Sequence, residues 1–454
     1  MRFTLLLVTL FACNRRDVND DPLPTDPTLP QVGGTALKFY GRVPKNLLFI
    51  SIDTFRKDHL TRYGGDHYTP FIDSIAAKGV TLDQHIQCAN WTFASTTCTL
   101  AGRYNIERGH IPRLNGTDEN RPKVPEGTPF LATWLGQHDF YSVIVSGNDW
   151  LSSNWGNTQG YDESLRPPGS ASTVWDTGSR AIREAIDRRE ADRWFLHLHF
   201  MEPHASYDPP SENIIGEENV EPWPEDLTNR DTHYAWRDEW PSLDPSDQDL
   251  LEANLRLLYQ GEIRTIDQRL ADIWTEMERE GYLDDTLVVF WNDHGEQFWE
   301  HDHQTHAYSL NNEENDAFAI FWSRNIVPTH YAGPTASIDL VPSVLQVFGF
   351  AQPPEVTGWP VGDAPDDRPR FAESLARLGG INAVQRDGLL LQYFWSGGLS
   401  FYDRNVDPNE QNNLYDPEDP RVLELWDLLK PMAVAMAPLI VGGAPQPIWP
   451  TDLP

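Results

Sequence analysis

The feature that most constrains the fold of this 454-residue chain is a set of short apolar segments, each bounded by polar or turn residues. Segments of this kind are typical of buried β-strands. The clearest are 46–52, 141–146, 194–200 and 286–291. Helix-like stretches alternate with them, at 68–78, 93–100, 174–189, 246–280 and 338–348. This alternation predicts an α/β fold in which helices sandwich a mostly parallel sheet.

Polar side chains follow three of these strands where each strand ends. Asp53 follows the first, His204 comes shortly after the third, and Asp293 and His294 come after the fourth. Ligands bind beyond the carboxyl ends of strands in open α/β sheets, so we expect these groups to meet in one crevice. A buried carboxylate needs a partner or a metal. We therefore predict that Asp53, Asp293 and His294 hold a divalent ion; of zinc, manganese and calcium, the nitrogen ligand suits the first two better.

The segment 300–306 holds three of the 14 histidines of the chain. Such density indicates metal ligation or proton transfer. The alternative is a polar surface loop in which at most one histidine is functional.

Thr92 begins a predicted helix, since threonine is a good N-cap and Ala101-Gly102 is a plausible helix end. A hydroxyl at a helix N-terminus lies in a positive field. Beside a divalent cation it can be held as an alkoxide that attacks phosphorus or sulfur, which would make Thr92 both a metal ligand and the nucleophile. The alternative is that Thr92 only caps the helix.

The N-terminus has the layout of a secretory signal peptide. Residues 1–13 resemble a bacterial lipoprotein signal, in which Cys13 becomes the lipidated N-terminus; an ordinary signal peptide is the alternative. Residues 14–36 are rich in Asp, Pro and Thr and predict a flexible tether. We therefore expect export to the bacterial periplasm or outer surface, with membrane contact only through a lipid at Cys13.

The net charge of −33 disfavours nucleic acid and anionic membrane surfaces as partners. The other two cysteines, Cys88 and Cys98, flank Thr92. In an oxidising compartment they can form a disulfide, and two buried thiols are the alternative.

Taken in order, these segments resemble the sulfatase family, a branch of the alkaline phosphatase superfamily. The matching motifs lie at 52–64, 68–76, 92–104, 201–204, 293–296, 306–314 and 399–414. The resemblance implies a catalytic domain over 37–365 and a small C-terminal α+β subdomain over 366–454. It places Thr92 at the nucleophile position, and His306 where relatives have a histidine before a Ser-Leu-x-x-Glu-Glu run. It also implies as substrate a small anionic ester, or a sulfated or phosphorylated glycan.

Two departures from the family pattern are informative. Sulfatases proper carry Cys or Ser in a Cys-x-Pro-x-Arg motif, which is oxidised to formylglycine; here Thr92, Ala94 and Thr96 stand at the corresponding positions. Threonine cannot become formylglycine, so we expect none. Asn148 lies where arylsulfatases have a charged Gly-Lys-Trp-His segment. Threonine nucleophiles are familiar from superfamily members that act on phosphorus.

We therefore expect a metal-dependent hydrolase of sulfate esters or of phosphate mono- or diesters. The residues expected to assist Thr92 are Arg56, Arg103 and Asn148 on the substrate, and His204 and His306 as leaving-group acids or further ligands. One alternative is a phosphoryl-group transferase acting on envelope glycans or lipids. Another is a catalytically inactive surface protein that keeps the fold and binds a glycan or partner.

Overall fold

The computed structural model describes residues 26–66, 68–109, 123–167, 171–188, 192–377, 379–439 and 447–453. The predicted signal sequence with Cys13, and the predicted tether as far as residue 25, lie outside these ranges. The end of the predicted tether is not wholly irregular, because strand β1 (Gln31–Gly33) pairs with β2 (Lys38–Tyr40). Phe39 is fully buried, so the chain enters the core at this hairpin.

The secondary structure alternates between strands and helices up to residue 347 and is mainly antiparallel strands after it. The remaining strands are β3 (Asn46–Ile52), β4 (Val80–Ile86), β5 (Phe140–Ser146), β6 (Glu163–Leu165), β7 (Arg193–Phe200), β8 (Thr286–Asn292), β9 (Gln297–Phe298), β10 (Gln304–Thr305), β11 (Ala319–Trp322), β12 (Thr329–Ala336), β13 (Arg370–Ala376), β14 (Gly379–Arg386), β15 (Leu389–Phe394) and β16 (Leu399–Asp403). The helices are α1 (Pro70–Ala76), α2 (Thr92–Ala101), α3 (Leu131–Gly136), α4 (Ala171–Arg188), α5 (Arg230–Glu239), α6 (Pro245–Glu280), α7 (Asn312–Asn315), α8 (Leu340–Val347) and α9 (Pro420–Met436).

The large sheet has eight strands in the order β12-β4-β11-β8-β3-β7-β5-β6. All four strands predicted from the apolar segments are present in it, as β3, β5, β7 and β8. Among the described residues only β11 is antiparallel to its neighbours in this sheet, β4 and β8. The prediction of a mostly parallel sheet is therefore confirmed.

Helices cover both faces of this sheet. Alternate residues of β3 show the two layers, because Leu47 and Phe49 pack into one core, whereas Leu48, Ile50 and Ile52 pack into another. Residues of α2, α3 and α8 belong to the first core, and residues of α1, α4 and α6 belong to the second. A strand buried on both faces reads as a continuous apolar run, as the 46–52 segment does.

The C-terminal part forms a smaller layer of its own. Strands β13 to β16 make an antiparallel sheet in chain order. Helix α9 packs on this sheet through Trp426 and Leu429, which share a core with Val384 and Leu391. The predicted α+β subdomain is confirmed, and its boundary at residue 366 stays a prediction.

Candidate active site

The ends of two neighbouring strands bring the three predicted metal ligands together. Strands β3 and β8 pair in parallel, with Ile52 opposite Asn292. The residues that follow are Asp53 on one strand and Asp293 and His294 on the other, and all three are fully buried. One ligand atom from each lies within 4.8 Å of the other two. The convergence expected from the strand ends is therefore present.

Two atoms of this set have no hydrogen-bond partner among the residues that the structure describes. They are Asp53 Oδ1 and Asp293 Oδ2, which lie 3.5 Å and 3.6 Å from His294 Nε2. His294 Nδ1 lies 3.0 Å from the carbonyl oxygen of Gly295 and donates to it, which leaves the lone pair on Nε2. Two carboxylate oxygens without hydrogen-bond partners among the described residues, together with the imidazole nitrogen that they face, fit a divalent cation.

The second oxygen of each carboxylate is held in place by the protein. Asp293 Oδ1 accepts the backbone N–H groups of Thr54 at 3.2 Å and His294 at 2.9 Å. Asp53 Oδ2 accepts Asn148 Nδ2–H at 2.6 Å. Each carboxylate is thus oriented through one oxygen, and its other oxygen remains available.

The electrostatics of the three groups also favour a cation. Burial opposes ionisation of Asp53, but the nearby His204, His199 and His294 hold the pKa of Asp53 below its ordinary value. Burial and the charge of Asp53 raise the pKa of Asp293 well above its usual range. Burial lowers the pKa of His294. Two buried carboxylates this close repel each other when both are ionised, and a bound divalent cation would relieve that repulsion.

Thr92 lies beside these atoms as the first residue of α2, where the helix was predicted to begin. The N-cap position belongs to Trp91, whose backbone is extended, and no side chain caps the helix. The Thr92 hydroxyl lies instead 3.2 Å from Asn148 Nδ2, 3.4 Å from His294 Nε2 and 3.5 Å from Asp53 Oδ2. Its position does not fit the alternative that Thr92 is only a helix cap.

Helix α2 is tied to the chain that precedes it by a disulfide between Cys88 and Cys98, whose Cα atoms are 6.6 Å apart. Of the two alternatives left open by the sequence, the structure has the bridge. Cys98 is in the helix that Thr92 begins, so the bridge restrains the element that carries the hydroxyl.

Two further histidines stand next to the ligand set. The His306 ring is 4.4 Å from that of His294, and the His204 ring is 5.3 Å from that of His306. His306 Nδ1 lies 2.9 Å from Glu296 Oε1. Burial raises the pKa of Glu296 to about 7, against the attraction of His204 and His294, while burial and these histidines lower the pKa of His306. The contact between this buried carboxyl and imidazole is short enough for the two groups to share a proton.

The two arginines expected to bind the substrate anion have other partners in the structure, and their roles toward a substrate stay predictions. The Arg56 guanidinium is engaged by both oxygens of Asp58, at 3.0 and 2.6 Å, and by Glu300 Oε1 at 2.5 Å. Its charge is therefore paired with nearby carboxylates, and its Nη1 also donates to the carbonyl oxygen of Glu296 at 3.2 Å. Arg103 follows the C-cap of helix α2, and Thr92 is the first residue of that helix. A helix of ten residues rises roughly 15 Å, so the backbone of Arg103 lies about that far from the backbone of Thr92.

His199 was missed by the sequence reasoning. Its Nε2 lies 3.4 Å from Asp53 Oδ2, and its Nδ1 lies 2.8 Å from Ser51 Oγ. Ser51 Oγ also contacts His197 Nε2 at 2.9 Å, and His197 Nδ1 contacts the Tyr161 hydroxyl at 3.0 Å. The signal was present, because two histidines at alternate positions of a buried strand are unusual and require partners.

Arg377 was also missed. It follows β13, and its Nε donates to the carbonyl oxygen of His306 at 3.2 Å. This places a cation from the C-terminal sheet beside the site. The sequence carries no signal for it, because the contact depends on how two separate sheets pack.

Asn148 was expected to bind substrate. The structure places its amide between the proposed ligand and the proposed nucleophile, with Nδ2 donating to both Asp53 and Thr92. Its Oδ1 accepts the Trp150 N–H at 2.9 Å, which fixes the orientation of the amide. Asn148 is therefore placed to position Asp53 and Thr92.

Comparisons with known proteins give a consistent result. A family model described as Sulfatase matches residues 45–350. The arylsulfatase of Clostridium perfringens (strain 13 / Type A) is 22% identical over 372 residues, covering 76% of this chain and 74% of that protein. The solved structure of the phosphonate monoester hydrolase SpPMH from Silicibacter pomeroyi has a TM-score of 0.63 and 18% identity, covering 85% of this chain and 93% of that one. A structure of BT4656 in complex with its substrate D-glucosamine-2-N,6-O-disulfate has a TM-score of 0.66 and 16% identity, covering 86% and 98%.

Proposed function

This chain belongs to the sulfatase family of ester hydrolases, and from that premise we propose that it cleaves sulfate esters or phosphate mono- or diesters with Thr92 as the nucleophile. The proposed metal ligands are Asp53, Asp293 and His294. The observation that carries the proposal is the Thr92 hydroxyl, 3.4 Å from His294 Nε2 and beside two buried carboxylate oxygens without hydrogen-bond partners.

A divalent ion held by these ligands would lower the pKa of the Thr92 hydroxyl and offset the negative charge that develops on the substrate. The chain's own residues position the nucleophile and favour binding of the anionic substrate. Asn148 holds Asp53 and Thr92 in a fixed relation through one amide. Because α2 begins at Thr92, its free backbone N–H groups face the same region and favour an anion.

The reaction takes place in two displacements. In the first, Thr92 Oγ1 gives its proton to solvent water and bonds to sulfur or phosphorus while the bond to the ester oxygen breaks, and His204 or His306 protonates the departing oxygen. In the second, water bonds to the same atom while the bond to Thr92 breaks, and the Thr92 oxygen takes a proton back from solvent water. The Glu296–His306 pair is placed to take the proton from the attacking water.

The test is turnover of aryl sulfate, aryl phosphate, aryl phosphodiester and aryl phosphonate substrates, with metal analysis of the purified protein. We expect metal to copurify and at least one ester to be cleaved. Thr92→Ala should lower kcat on that ester on the order of 10³-fold or more, because the covalent route is lost.

Thr97→Ala is the matched control, since Thr97 is a buried threonine of the same helix whose hydroxyl has no hydrogen-bond partner in the described structure. It should keep kcat within a few fold. Wild-type turnover by Thr92→Ala, or absence of bound metal from an active preparation, would overturn the proposal. Turnover only with an added acceptor would favour group transfer, and a folded, metal-loaded protein inert on every ester would favour the binding-protein alternative.

We also propose that the chain is exported and anchored by a lipid on Cys13. The sequence of residues 1–13 supports this, and the Cys88–Cys98 disulfide is typical of oxidising compartments. Among the residues that the structure describes, no helix is long and apolar enough to cross a membrane. Mass spectrometry of the mature protein tests the proposal, since the expected N-terminus is an acylated Cys13 and an unprocessed Met1 would contradict it. Cys13→Ser should release the protein from the membrane fraction.

A further inference from the structure

A polar cavity lies apart from the proposed metal ligands. It is formed between the carboxyl end of β4, the neighbouring β12 and the C-terminal sheet, and its volume is about 530 Å³. Its wall includes Lys57, His85, Asp316, Arg370, Gln385 and Arg404. None of Asp53, Thr92, Asp293 and His294 lines it. A cavity of this size can hold a small molecule or a substituent of a larger one.

Two cations in this wall have no ion-pair partner in the part of the chain that the structure describes. Arg370 is 4% exposed, and its guanidinium donates to the carbonyl oxygen of Gln84 and, at 3.5 Å, to Gln385 Oε1. The half-buried Lys57 donates from Nζ to the carbonyl oxygen of Asp83 at 2.8 Å. Within the described ranges, no carboxylate oxygen lies within 4.0 Å of either charged group. The Lys57 ammonium also lies 4.7 Å from the centre of the Tyr63 ring, whereas the buried Nε of Arg370 has no hydrogen-bond partner among the described residues. A buried cation is normally paired with a carboxylate, so Arg370 in particular requires an explanation.

The nearest buried carboxylates are already committed to another cation. Arg404 forms an ion pair with Asp316 through Nη2, and its Nε lies 3.1 Å from Glu410 Oε1. Three cations line the cavity, Lys57, Arg370 and Arg404, and of these, within the described part of the chain, Arg404 is the one whose guanidinium pairs with carboxylates. Burial, with repulsion from neighbouring arginines, lowers the pKa of Lys57 to about 8 and that of Arg370 to about 10.

The remaining carboxylates of the cavity do not cancel this charge. Asp83 is paired with Arg62 at 2.9 Å. Asp366 and Asp387 are exposed at the rim, where water and salt screen them. Lys57 and Arg370 therefore line the cavity with no carboxylate oxygen within 4.0 Å of their charged groups among the described residues.

We propose that this cavity is a second anion-binding site, which takes an oxyanion such as sulfate or phosphate. Lys57 and Arg370 would bind its oxygens, since an ammonium and a guanidinium form charge-assisted hydrogen bonds to such groups. In a chain of net charge −33, two cations without a carboxylate partner in one cavity are a specific feature rather than a general property of the surface. The anion has two possible sources: a free inorganic ion, or a second anionic group on a longer substrate. The second source rests on the proposed function.

Titration of the metal-loaded protein with inorganic sulfate and phosphate tests the site without requiring turnover. Crystals soaked in selenate locate the anion directly by anomalous scattering. We expect selenate in the cavity, and binding to the cavity that is weakened roughly tenfold or more by Arg370→Gln and by Lys57→Gln. Lys57→Gln decides the matter if Arg370→Gln does not fold.

Arg386→Gln is the matched control, because Arg386 lies on β14 but its guanidinium binds Asp367 and Glu424 instead of lining the cavity. It should bind sulfate as the wild type does. The proposal is overturned if selenate occupies only the metal centre, or if Lys57→Gln and Arg370→Gln bind as tightly as the wild type.

Kinetics distinguish the two sources of the anion. If it is a free ion, added sulfate or phosphate should alter turnover of a monoanionic aryl ester in the wild type and not in Lys57→Gln. If it belongs to the substrate, Lys57→Gln should raise the KM of a polyanionic ester several-fold and leave that of the monoanionic ester unchanged. Failure of the proposed ester hydrolysis would leave the binding experiment intact.

Discussion

Replacing Asn148 by alanine should impair the enzyme by an amount that can be worked out from its contacts. The change removes a 2.6 Å hydrogen bond to Asp53 Oδ2 and a 3.2 Å hydrogen bond to Thr92 Oγ1. Hydrogen bonds contribute about 1.5–3 kcal/mol when one partner is charged and about 0.5–1.5 kcal/mol when both are neutral. The sum of about 2–4.5 kcal/mol corresponds to a loss in kcat/KM of about 30- to 2000-fold. His199 Nε2 remains 3.4 Å from Asp53, which favours the lower part of this range.

The assay is kcat/KM on the best ester of the panel, with the metal content of each variant measured beside it. Asn157→Ala is the control, since Asn157 is equally buried but hydrogen-bonds mainly to backbone groups, including the Trp150 carbonyl at 2.8 Å. It should lose stability and keep kcat/KM within a few fold. If Asn148→Ala retains wild-type kcat/KM with full metal occupancy, the amide does not position these groups and the reasoning is refuted.

Three further perturbations have defined outcomes. Replacing Cys88 and Cys98 by serine removes a crosslink between residues ten positions apart. Urea denaturation should then show a loss of about 2–3 kcal/mol in unfolding free energy. A denaturation midpoint equal to that of the wild type would contradict the presence of the bridge. In the wild type the buried Asp339 carboxylate accepts hydrogen bonds from two guanidinium nitrogens of Arg368, at 2.7 and 2.9 Å. Arg368→Met removes this charge partner, and urea denaturation should show a loss of about 3–5 kcal/mol in unfolding free energy. The raised pKa of Asp293 favours a proton on its carboxyl group, and a metal ion must displace that proton in order to bind. Calorimetry between about pH 5.5 and 8.5 should therefore show that metal affinity rises with pH. An affinity that does not change with pH would refute this linkage.

The sequence was sufficient for the parts of the site that follow directly from buried strands. Strand β3 was predicted with its observed bounds, and β8 differs from its prediction by one residue. Both strands are buried on both faces, so their apolar runs are unbroken and end where the polar ligands begin. The positions of Asp53, Asp293 and His294 follow from those two ends.

The parts that could not be predicted depend on packing between distant segments. The four residues of β11 have the composition of a buried strand, but nothing in that composition specifies an antiparallel direction. Arg56 follows Asp53 closely in sequence, yet its direction is decided by Asp58 and Glu300. Recognising His199 as a neighbour of Asp53 required knowing that β7 lies next to β3.

The pairing of β3 with β8 has a consequence for the order in which the metal centre can form. Thr54 and Asp293, which are joined by a hydrogen bond, are separated by 239 positions in the chain. A nascent chain that ends before β8 contains Asp53 and Thr92 but lacks both ligands of the other strand. The proposed ligand set is therefore complete only once β8 has been synthesised, so metal uptake through all three ligands would be a late event in maturation. Once bound, the ion would oppose separation of the two strands, so free metal concentration would affect how often this part of the sheet opens.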